Sequence, residues 1–543
     1  MFNNNLKSRI KKLTIVMVML LSLLIVRLGF IINDTKITSV ASSNYTQKES
    51  ISDESYNFLD INNNNLMDYD VKFILTIDTD TFSLNSETEN ANDLLTFYYI
   101  MKKEDINFSF YDINKSSGKI KYEISESAYN KILNIVKDLK GIYAYKYYES
   151  KAKETWSIEN ILSHPISFKD GEEKSENSLE MFIDESTKDN TEEKMVFEKN
   201  DDGIYDIGYI DKDLDNINVQ LTLDKKLQEI TREILNKEEF DEFSNAGAII
   251  IESKTGKILS LAQKDETEPN LVTGAGNIIG YEPGSIFKIL TLEAAMKYSN
   301  IDLNNKELCT GNKCSKVHGE LTILEAFKAS CNEAFANLGT KVGNENLMDF
   351  AKTQGLFSNM LGLDIESGME TMGTYEDDEN ISNISIGQSM QSNLVQMTSI
   401  ISTIVNDGVY IKPYIINNLK DNEGNSIKSF DGESHEVLSK DISQNVKYAL
   451  KETVLSGTAS VANIDNIEVG AKTGTAEVPQ DLNGEKNLHG WFIGYCNING
   501  NYYSIGVFVP NIKNYEKGNT GGSTAGPVFK EIVGALNEYY NKN

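Results

Sequence analysis

An apolar run near the amino terminus constrains this chain more than any other feature. "LTIVMVMLLSLLIV" begins at Leu13, and the apolar character continues past Arg27 to Ile32. These 20 residues would form a helix about 30 Å long, which matches the hydrocarbon core of a bilayer. The first twelve positions hold four basic residues, and basic flanks remain on the cytoplasmic side. The sequence therefore predicts a cytoplasmic tail over residues 1–12, a membrane anchor over residues 13–32, and a cell-membrane protein whose body is extracytoplasmic.

A cleaved signal peptide is the competing interpretation of the same run. "SVA" at residues 39–41 has the small residues that a signal peptidase accepts. The length of the apolar run favours the retained anchor. Both interpretations place the rest of the chain outside the cytoplasm.

The length and the charge of the chain limit the number of domains and the class of binding partner that it can have. A chain of 543 residues exceeds a single hydrophobic core, so more than one domain is expected. There are 52 Lys and Arg residues against 81 Asp and Glu residues, a formal net charge of −29. Such an acidic chain without basic clusters is a poor partner for nucleic acid.

The residue pattern changes near position 218, which predicts an N-terminal domain over residues 33–217. "VKFILTID" is typical of a strand, and "ISESAYNKILNIVKDLKG" is typical of a helix that Ser125 or Ser127 caps and Gly141 ends. The highly charged segment 169–202 is expected to be a solvated loop. This is a mixed α and β region without a catalytic cluster.

Residues 218–543 predict an α/β domain. "AGAIIIESKTGKILSLAQ" has the pattern of a hairpin, and "GWFIGYCNI" and "YYSIGVFVP" flank a second turn. Helices are expected after Ser285, around residues 321–342 and 389–406, and at the C-terminus. Because the strands are joined by hairpins, we expect a central antiparallel sheet flanked by helices.

Four cysteines are too few for a disulfide framework. Cys309 and Cys314 lie close enough in sequence to bridge across a loop, and two unlinked thiols are the alternative. A zinc half-site is disfavoured because no second Cys/His pair is evident at ligand spacing. The four histidines are scattered, so no metal site and no histidine-based triad is expected.

The stretch "YEPGSIFKIL" places Ser285 and Lys288 three positions apart, directly after a Pro-Gly turn. A helix starting here puts both side chains on one face, so the lysine amine can reach the serine oxygen. The helix N-terminus also favours developing negative charge. Taken alone, a capping serine beside a surface lysine would explain the pattern.

A second polar element interrupts an apolar helical stretch at Ser330 and Asn332. A buried polar pair costs free energy unless it is hydrogen-bonded, so these residues are expected to line a cleft. The alternative is a serine hydroxyl that bonds back to its own helix.

A third element is "KTGT", formed by Lys472, Thr473, Gly474 and Thr475. The glycine allows a strand edge to approach a ligand closely, while the ammonium and hydroxyl groups can hold a carboxylate. A polar turn would also account for these letters. The three elements occur together and in this order, and the purely structural explanations do not account for that combination.

S-x-x-K, Ser-x-Asn and K-T-G occur together in penicillin-binding proteins and serine β-lactamases. With "HGELT", "SIGQSM", "NDGVYIKP" and "GPVF" beside them, the chain from about Val219 resembles a class B (monofunctional) penicillin-binding protein, a peptidoglycan D,D-transpeptidase. The resemblance implies a serine β-lactamase-like transpeptidase domain, an elongated α+β N-terminal pedestal and one transmembrane helix. The N-terminal likeness is faint, and Ser389 stands where the family often has glycine.

The resemblance also implies the roles of the first two elements. Ser285 would attack the penultimate D-alanine carbonyl of a stem peptide, with Lys288 as the base. Ser330 would relay a proton to the leaving amine, and Asn332 would hydrogen-bond the peptide.

Lys472, Thr473 and Thr475 would bind the terminal carboxylate of the substrate, with Gly474 giving close access to the strand. By the same resemblance, β-lactams would acylate the nucleophile, a polytopic membrane glycosyltransferase would be the partner, and no cofactor is implied. A β-lactamase and a non-catalytic sensor or scaffold are the alternatives. The sequence does not separate roles in elongation, division and sporulation.

Overall fold

The structure is a computed structural model that describes residues 2–33, 45–85, 90–151, 155–167, 171–277, 280–368, 380–477, 487–512 and 518–542. The side chains of residues 2–7 and 28–33 lie outside this description, as does the alternative cleavage site at residues 39–41.

The chain forms two compact units. The smaller comprises Met1–Ser55, Tyr69–Lys151 and Thr191–Asp213, and the larger comprises Tyr56–Asp68, Ala152–Asn190 and Leu214–Asn543. Two segments that precede residue 217 thus fold with the larger unit. One of them contains the short strand Phe58–Leu59, which pairs in parallel with Asn218–Leu221. The pedestal role of the smaller unit stays a prediction.

Two three-stranded sheets build the smaller unit. Tyr69–Asp78 is the central strand of the first sheet and pairs antiparallel with Lys119–Ile124 and Ile142–Ser150. The second sheet contains Thr46–Ser50, Lys194–Glu198 and Tyr209–Asp211. The helices of this unit are Phe2–Asn33, Thr79–Phe82, Ala91–Glu104, Phe110–Lys115, Glu126–Ile132 and the 3₁₀ turn Val136–Asp138.

The N-terminal helix Phe2–Asn33 contains the apolar run. Within the part of the chain that the structure describes, no helix combines the length and the apolar character needed to cross a membrane. The predicted anchor is therefore not confirmed.

A five-stranded antiparallel sheet is the centre of the larger unit. Its strands lie in the order Lys257–Gln263, Gly247–Glu252, Asn501–Ile512, Leu488–Ile498 and Glu468–Glu477. The two predicted hairpins are confirmed, and each supplies two neighbouring strands. The strand that carries the "KTGT" element lies at the edge of the sheet, where one side of its backbone is open to other parts of the fold.

Both faces of this sheet are buried. Ile249 and Ile251 contribute to one hydrophobic core, and Ala248 and Ile250 contribute to the other, as the alternation of side chains along a strand requires. The helices that cover the two faces are Lys288–Tyr298 and Leu394–Val405 on the first, and Lys225–Leu235 and Gly521–Lys542 on the second.

The other elements of the larger unit are Ile158–Ser163, Leu179–Thr187, Glu238–Phe240, Gly284–Phe287, Lys306–Cys309, Gly319–Thr322, Ile323–Lys328, Asn332–Val342, Asn344–Lys352, Ile381–Ile384, Val409–Ile411, Ile416–Lys420, Ser426–Ser429, Ser434–Glu436, Lys440–Ser456 and Ser460–Ala462.

Three local expectations are wrong. The helix that Ser125 caps ends at Ile132 rather than at Gly141, and a separate 3₁₀ turn, Val136–Asp138, follows it. The charged segment 169–202 contains the helix Leu179–Thr187, because Ser178 caps its N-terminus and Ile183 is buried on its inner face. The stretch 321–342 forms two helices rather than one, and the break falls at Ser330, whose φ is 54°.

Candidate active site

Ser285 lies in a single 3₁₀ turn, Gly284–Phe287, that leads directly into the helix Lys288–Tyr298. Its side chain is half-buried, whereas the apolar residues after it are fully buried and fix the turn in the core. Gly284 has a φ of 57°, a left-handed conformation that glycine adopts without strain.

This turn packs directly against the edge strand of the central sheet. A Cβ on Gly284 would lie 2.7 Å from the carbonyl oxygen of Thr475, and a Cβ on Gly474 would lie 2.8 Å from the carbonyl oxygen of Pro283. Both separations are shorter than real side chains tolerate, so glycine at each position allows the approach. The contact brings the Ser285 and "KTGT" elements side by side.

Lys288 is fully buried, and its ammonium group points to the second polar element. Its Nζ donates to the carbonyl oxygen of Ser330 at 2.7 Å, to the Oγ of Ser330 at 3.2 Å and to the Oδ1 of Asn332 at 2.7 Å. Among the residues that the structure describes, Ser285 is not a hydrogen-bond partner of this amine. Burial lowers the pKa of Lys288 to about 7, and the Cys331 and Cys314 thiols offset this only in part.

Lys472 reaches the same hydroxyl from the edge strand. Its Nζ donates to the Oγ of Ser330 at 2.9 Å and to the carbonyl oxygen of Thr473 at 3.3 Å. Burial lowers the pKa of Lys472 well below its ordinary value, and the nearby charge of Lys288 lowers it further. Two buried amines therefore share one hydroxyl, and burial shifts each of them toward its neutral form.

The unusual backbone of Ser330 explains how it reaches both amines. Cys331 follows it as the N-cap of the helix Asn332–Val342, and the preceding helix, Ile323–Lys328, ends two residues before Ser330. A left-handed serine is sparsely populated and costs about 1 kcal/mol or more, so the surrounding contacts must hold it. Such local strain is common in functional sites.

The threonines of the edge strand have separate partners. Thr473 donates through its Oγ1 to the Oγ1 of Thr458 at 3.1 Å. Thr475 accepts at its Oγ1 from the backbone N–H of Gly521 at 3.1 Å. Sequence reasoning did not single out Thr458, which lies in the segment "SGTA" at residues 456–459.

Ser389 has a φ of 59°, a left-handed conformation that favours glycine. The carboxylate of Glu282 accepts a hydrogen bond from the Ser389 backbone N–H at 2.9 Å and stabilises this turn. Burial raises the pKa of Glu282.

The structure thus brings together Lys288, Ser330, Asn332 and Lys472 by direct hydrogen bonds. It sets Ser285 in the turn that packs on Gly474, with Thr473 and Thr475 on the same strand. The roles of these residues stay predictions at this point.

The cysteines correct one sequence-based interpretation. Cys309 and Cys314 are not bridged, and Cys309 contacts His318 while Cys314 contacts Cys331. The expectation that no second Cys/His pair stands at ligand spacing is therefore wrong. The second pair consists of His318, in "VHGELT", and Cys331, in "SCN". Sequence reasoning missed both residues because the family motifs drew attention to their neighbours instead.

The sequence matches the family described as "Penicillin binding protein transpeptidase domain" over residues 246–534, more than half of the 543 residues. The chain therefore belongs to this family, as a class B penicillin-binding protein.

Relatives and solved structures agree with this assignment. Stage V sporulation protein D of Bacillus subtilis is 26% identical over 437 residues, which cover 73% of this chain and 65% of that protein. Peptidoglycan D,D-transpeptidase PbpA of Mycobacterium tuberculosis is 25% identical over 360 residues, which cover 59% of this chain and 72% of that protein. The crystal structure of penicillin binding protein 2X from Streptococcus thermophilus matches with a TM-score of 0.64 and 19% identity, covering 91% of this chain and 80% of that one. The fold class is thereby confirmed for the transpeptidase domain.

Proposed function

We propose that this protein is a serine-type D,D-transpeptidase that cross-links peptidoglycan stem peptides through an acyl-enzyme on Ser285. The observation that carries the proposal is the pair of buried amines, Lys288 and Lys472, that share the Ser330 hydroxyl beside the Ser285 turn. Family membership and the similarity to peptidoglycan D,D-transpeptidase PbpA support it.

Lys288 is the general base of this mechanism. Because burial lowers its pKa to about 7, a large fraction of the amine is neutral at physiological pH and can accept a proton. The Oγ of Ser285 forms a bond to the carbonyl carbon of the penultimate D-alanine, and its proton passes to Lys288. Ser330 then delivers a proton to the leaving amine as the C–N bond to the terminal D-alanine breaks, and it recovers a proton from Lys288, which returns to its neutral form.

The edge strand binds the substrate. Lys472, Thr473 and Thr475 hold the terminal carboxylate, and the arriving negative charge favours the charged form of the lysine. The backbone N–H groups of Ser285 and Thr475 form the oxyanion hole, and Asn332 orients the donor peptide. An amine of a neighbouring peptide takes the acyl group from Ser285, which completes the cross-link.

β-Lactams are proposed to acylate the same serine, and this gives the direct test. The full chain should gain the mass of one penicillin, and Ser285→Ala should gain none. Ser299→Ala, at the other end of the same helix, is the matched control and should gain one. An adduct that persists on Ser285→Ala would refute the assignment of the nucleophile.

The lifetime of the adduct and the transfer reaction separate the alternatives. Release of the penicillin within seconds would indicate a β-lactamase. Stable acylation without transfer of a stem peptide to an amine acceptor would indicate a sensor. Formation of the cross-linked peptide by the wild-type chain, lost in Ser285→Ala, supports the transpeptidase.

We also propose that residues 13–32 anchor the chain in the cell membrane with the larger unit outside the cytoplasm. The apolar run and its basic flank support this proposal. The full chain should remain in membranes after an alkaline wash, and a chain without residues 1–33 should not. A polytopic membrane glycosyltransferase is the proposed partner, on the family resemblance, and it should co-purify with the full chain.

A further inference from the structure

Four potential metal ligands meet next to the Ser330 element. The ligand atoms of Cys309, Cys314, His318 and Cys331 all lie within 4.8 Å of one another. Cys309 and His318 stand at the two ends of a hairpin loop, Cys314 lies within that loop, and Cys331 is the N-cap of a helix. All four cysteines of the chain are free thiols.

The distances in this cluster fit one tetrahedral ion. Zinc–sulfur bonds of about 2.3 Å and zinc–nitrogen bonds of about 2.0 Å place neighbouring ligand atoms about 3.5–3.8 Å apart. The sulfur atoms of Cys314 and Cys331 are 3.6 Å apart, and the sulfur of Cys309 is 3.3 Å from the Nδ1 of His318. The cluster is therefore close to the size that a bound zinc ion requires.

The ligand types select for zinc over harder cations. Three thiols and one imidazole are the donor set of many structural zinc sites, whereas magnesium and calcium require oxygen ligands. Four protein ligands also leave no open position for a reactive water. The site is thus suited to a structural ion rather than to metal-assisted hydrolysis.

The loop between the first two ligands is held by a buried carboxylate. Glu333 accepts hydrogen bonds from the backbone N–H groups of Thr310, Gly311 and Asn312 at 2.9, 2.9 and 3.2 Å. It also accepts from the hydroxyl of Thr310 at 2.6 Å. Outer contacts of this kind orient metal ligands and are part of a built site.

We propose that Cys309, Cys314, His318 and Cys331 bind one zinc ion, which fixes the position of the Ser330–Asn332 element. Cys331 lies between the serine and the asparagine that face Lys288, so a bond from its sulfur to the ion restrains the backbone on both sides. The ion supplies part of the restraint that the left-handed Ser330 needs.

Metal analysis of the full chain, purified without chelator, tests the site directly. We expect about one zinc ion per chain in the wild type and a loss of at least about tenfold in Cys309→Ser and His318→Gln. Cys496→Ser is the matched control, since that cysteine is buried in the strand Leu488–Ile498 outside the cluster. Glu333→Gln should weaken zinc affinity about 10–100-fold.

Cobalt and a chelator give measurements on the wild type that do not depend on variants folding. Replacing the ion with Co²⁺ should give thiolate-to-metal charge-transfer absorption. Removing the ion should slow acylation by a fluorescent penicillin, and adding zinc back should restore the rate. If the chain contains zinc but is not acylated by penicillin, the result supports the metal site and refutes the proposed function.

Two results would overturn the proposal. One is a reduced wild-type chain that binds neither zinc nor cobalt in stoichiometric amounts. The other is a Cys314–Cys331 disulfide found by peptide mapping of the chain isolated without reductant, since that bond would remove two of the four ligands. Equal zinc in the wild type and in both ligand variants would count against these residues in the same way.

Discussion

The pH dependence of acylation follows from the burial of Lys288. With a pKa of about 7, about one-tenth of the amine is neutral at pH 6 and about nine-tenths is neutral at pH 8. If the neutral amine takes the proton from Ser285, the acylation rate constant rises about tenfold between these values and levels off above pH 8. A lysine with the ordinary pKa of 10.5 would give a rise of about 100-fold over the same interval and no plateau.

The assay is the second-order rate constant for a fluorescent penicillin, measured at closely spaced pH values from 5.5 to 9.5 on the full chain. Lys297→Met, on the same helix but bonded to the carbonyl of Val437, is the control and should keep the wild-type midpoint. Lys288→Met should abolish the rate at every pH. A rate that is flat from pH 6 to 8, or that still climbs tenfold per unit above pH 8, would refute the assignment of Lys288 as the base.

Two further predictions concern packing and buried charge. Gly474→Ala should cost about 1–3 kcal/mol of stability in urea unfolding and slow acylation, because its Cβ would meet the carbonyl oxygen of Pro283 at 2.8 Å. Gly534→Ala, with no atom within 4 Å of the new Cβ, should instead gain about 0.5–1 kcal/mol. Burial raises the pKa of Glu293 to about 8, so the folded state binds the extra proton and stability falls as the pH rises from about 4.5 to 8. Glu293→Gln should therefore unfold at a higher urea concentration than the wild type at pH 9 and at a similar concentration at pH 5. The amide of Gln354 can still donate to the new side chain, so this hydrogen bond is kept. Equal stability of the two proteins at pH 9 would contradict the prediction.

Much of the local structure could be predicted because its causes are local. The hairpin strands Gly247–Glu252 and Lys257–Gln263 follow from apolar runs on either side of a turn, and Ser125 caps its helix as expected. The single boundary near residue 217 was too simple to capture Tyr56–Asp68 and Ala152–Asn190. Those segments join the larger unit through pairing and packing with distant parts of the chain, which no local pattern encodes.

The sequence alone determined the chemistry that the site can perform, because the three short motifs fix which hydroxyl, amine and amide groups are present and in what local spacing. Only the tertiary structure decided how charged those groups are, since the low pKa of Lys288 comes from burial by surrounding elements. It also decided which thiols meet: Cys309 faces His318 and Cys314 faces Cys331 because a hairpin, its loop and a helix end converge there. Proximity and desolvation depend on residues far apart in the chain, so they exist only once the chain is folded.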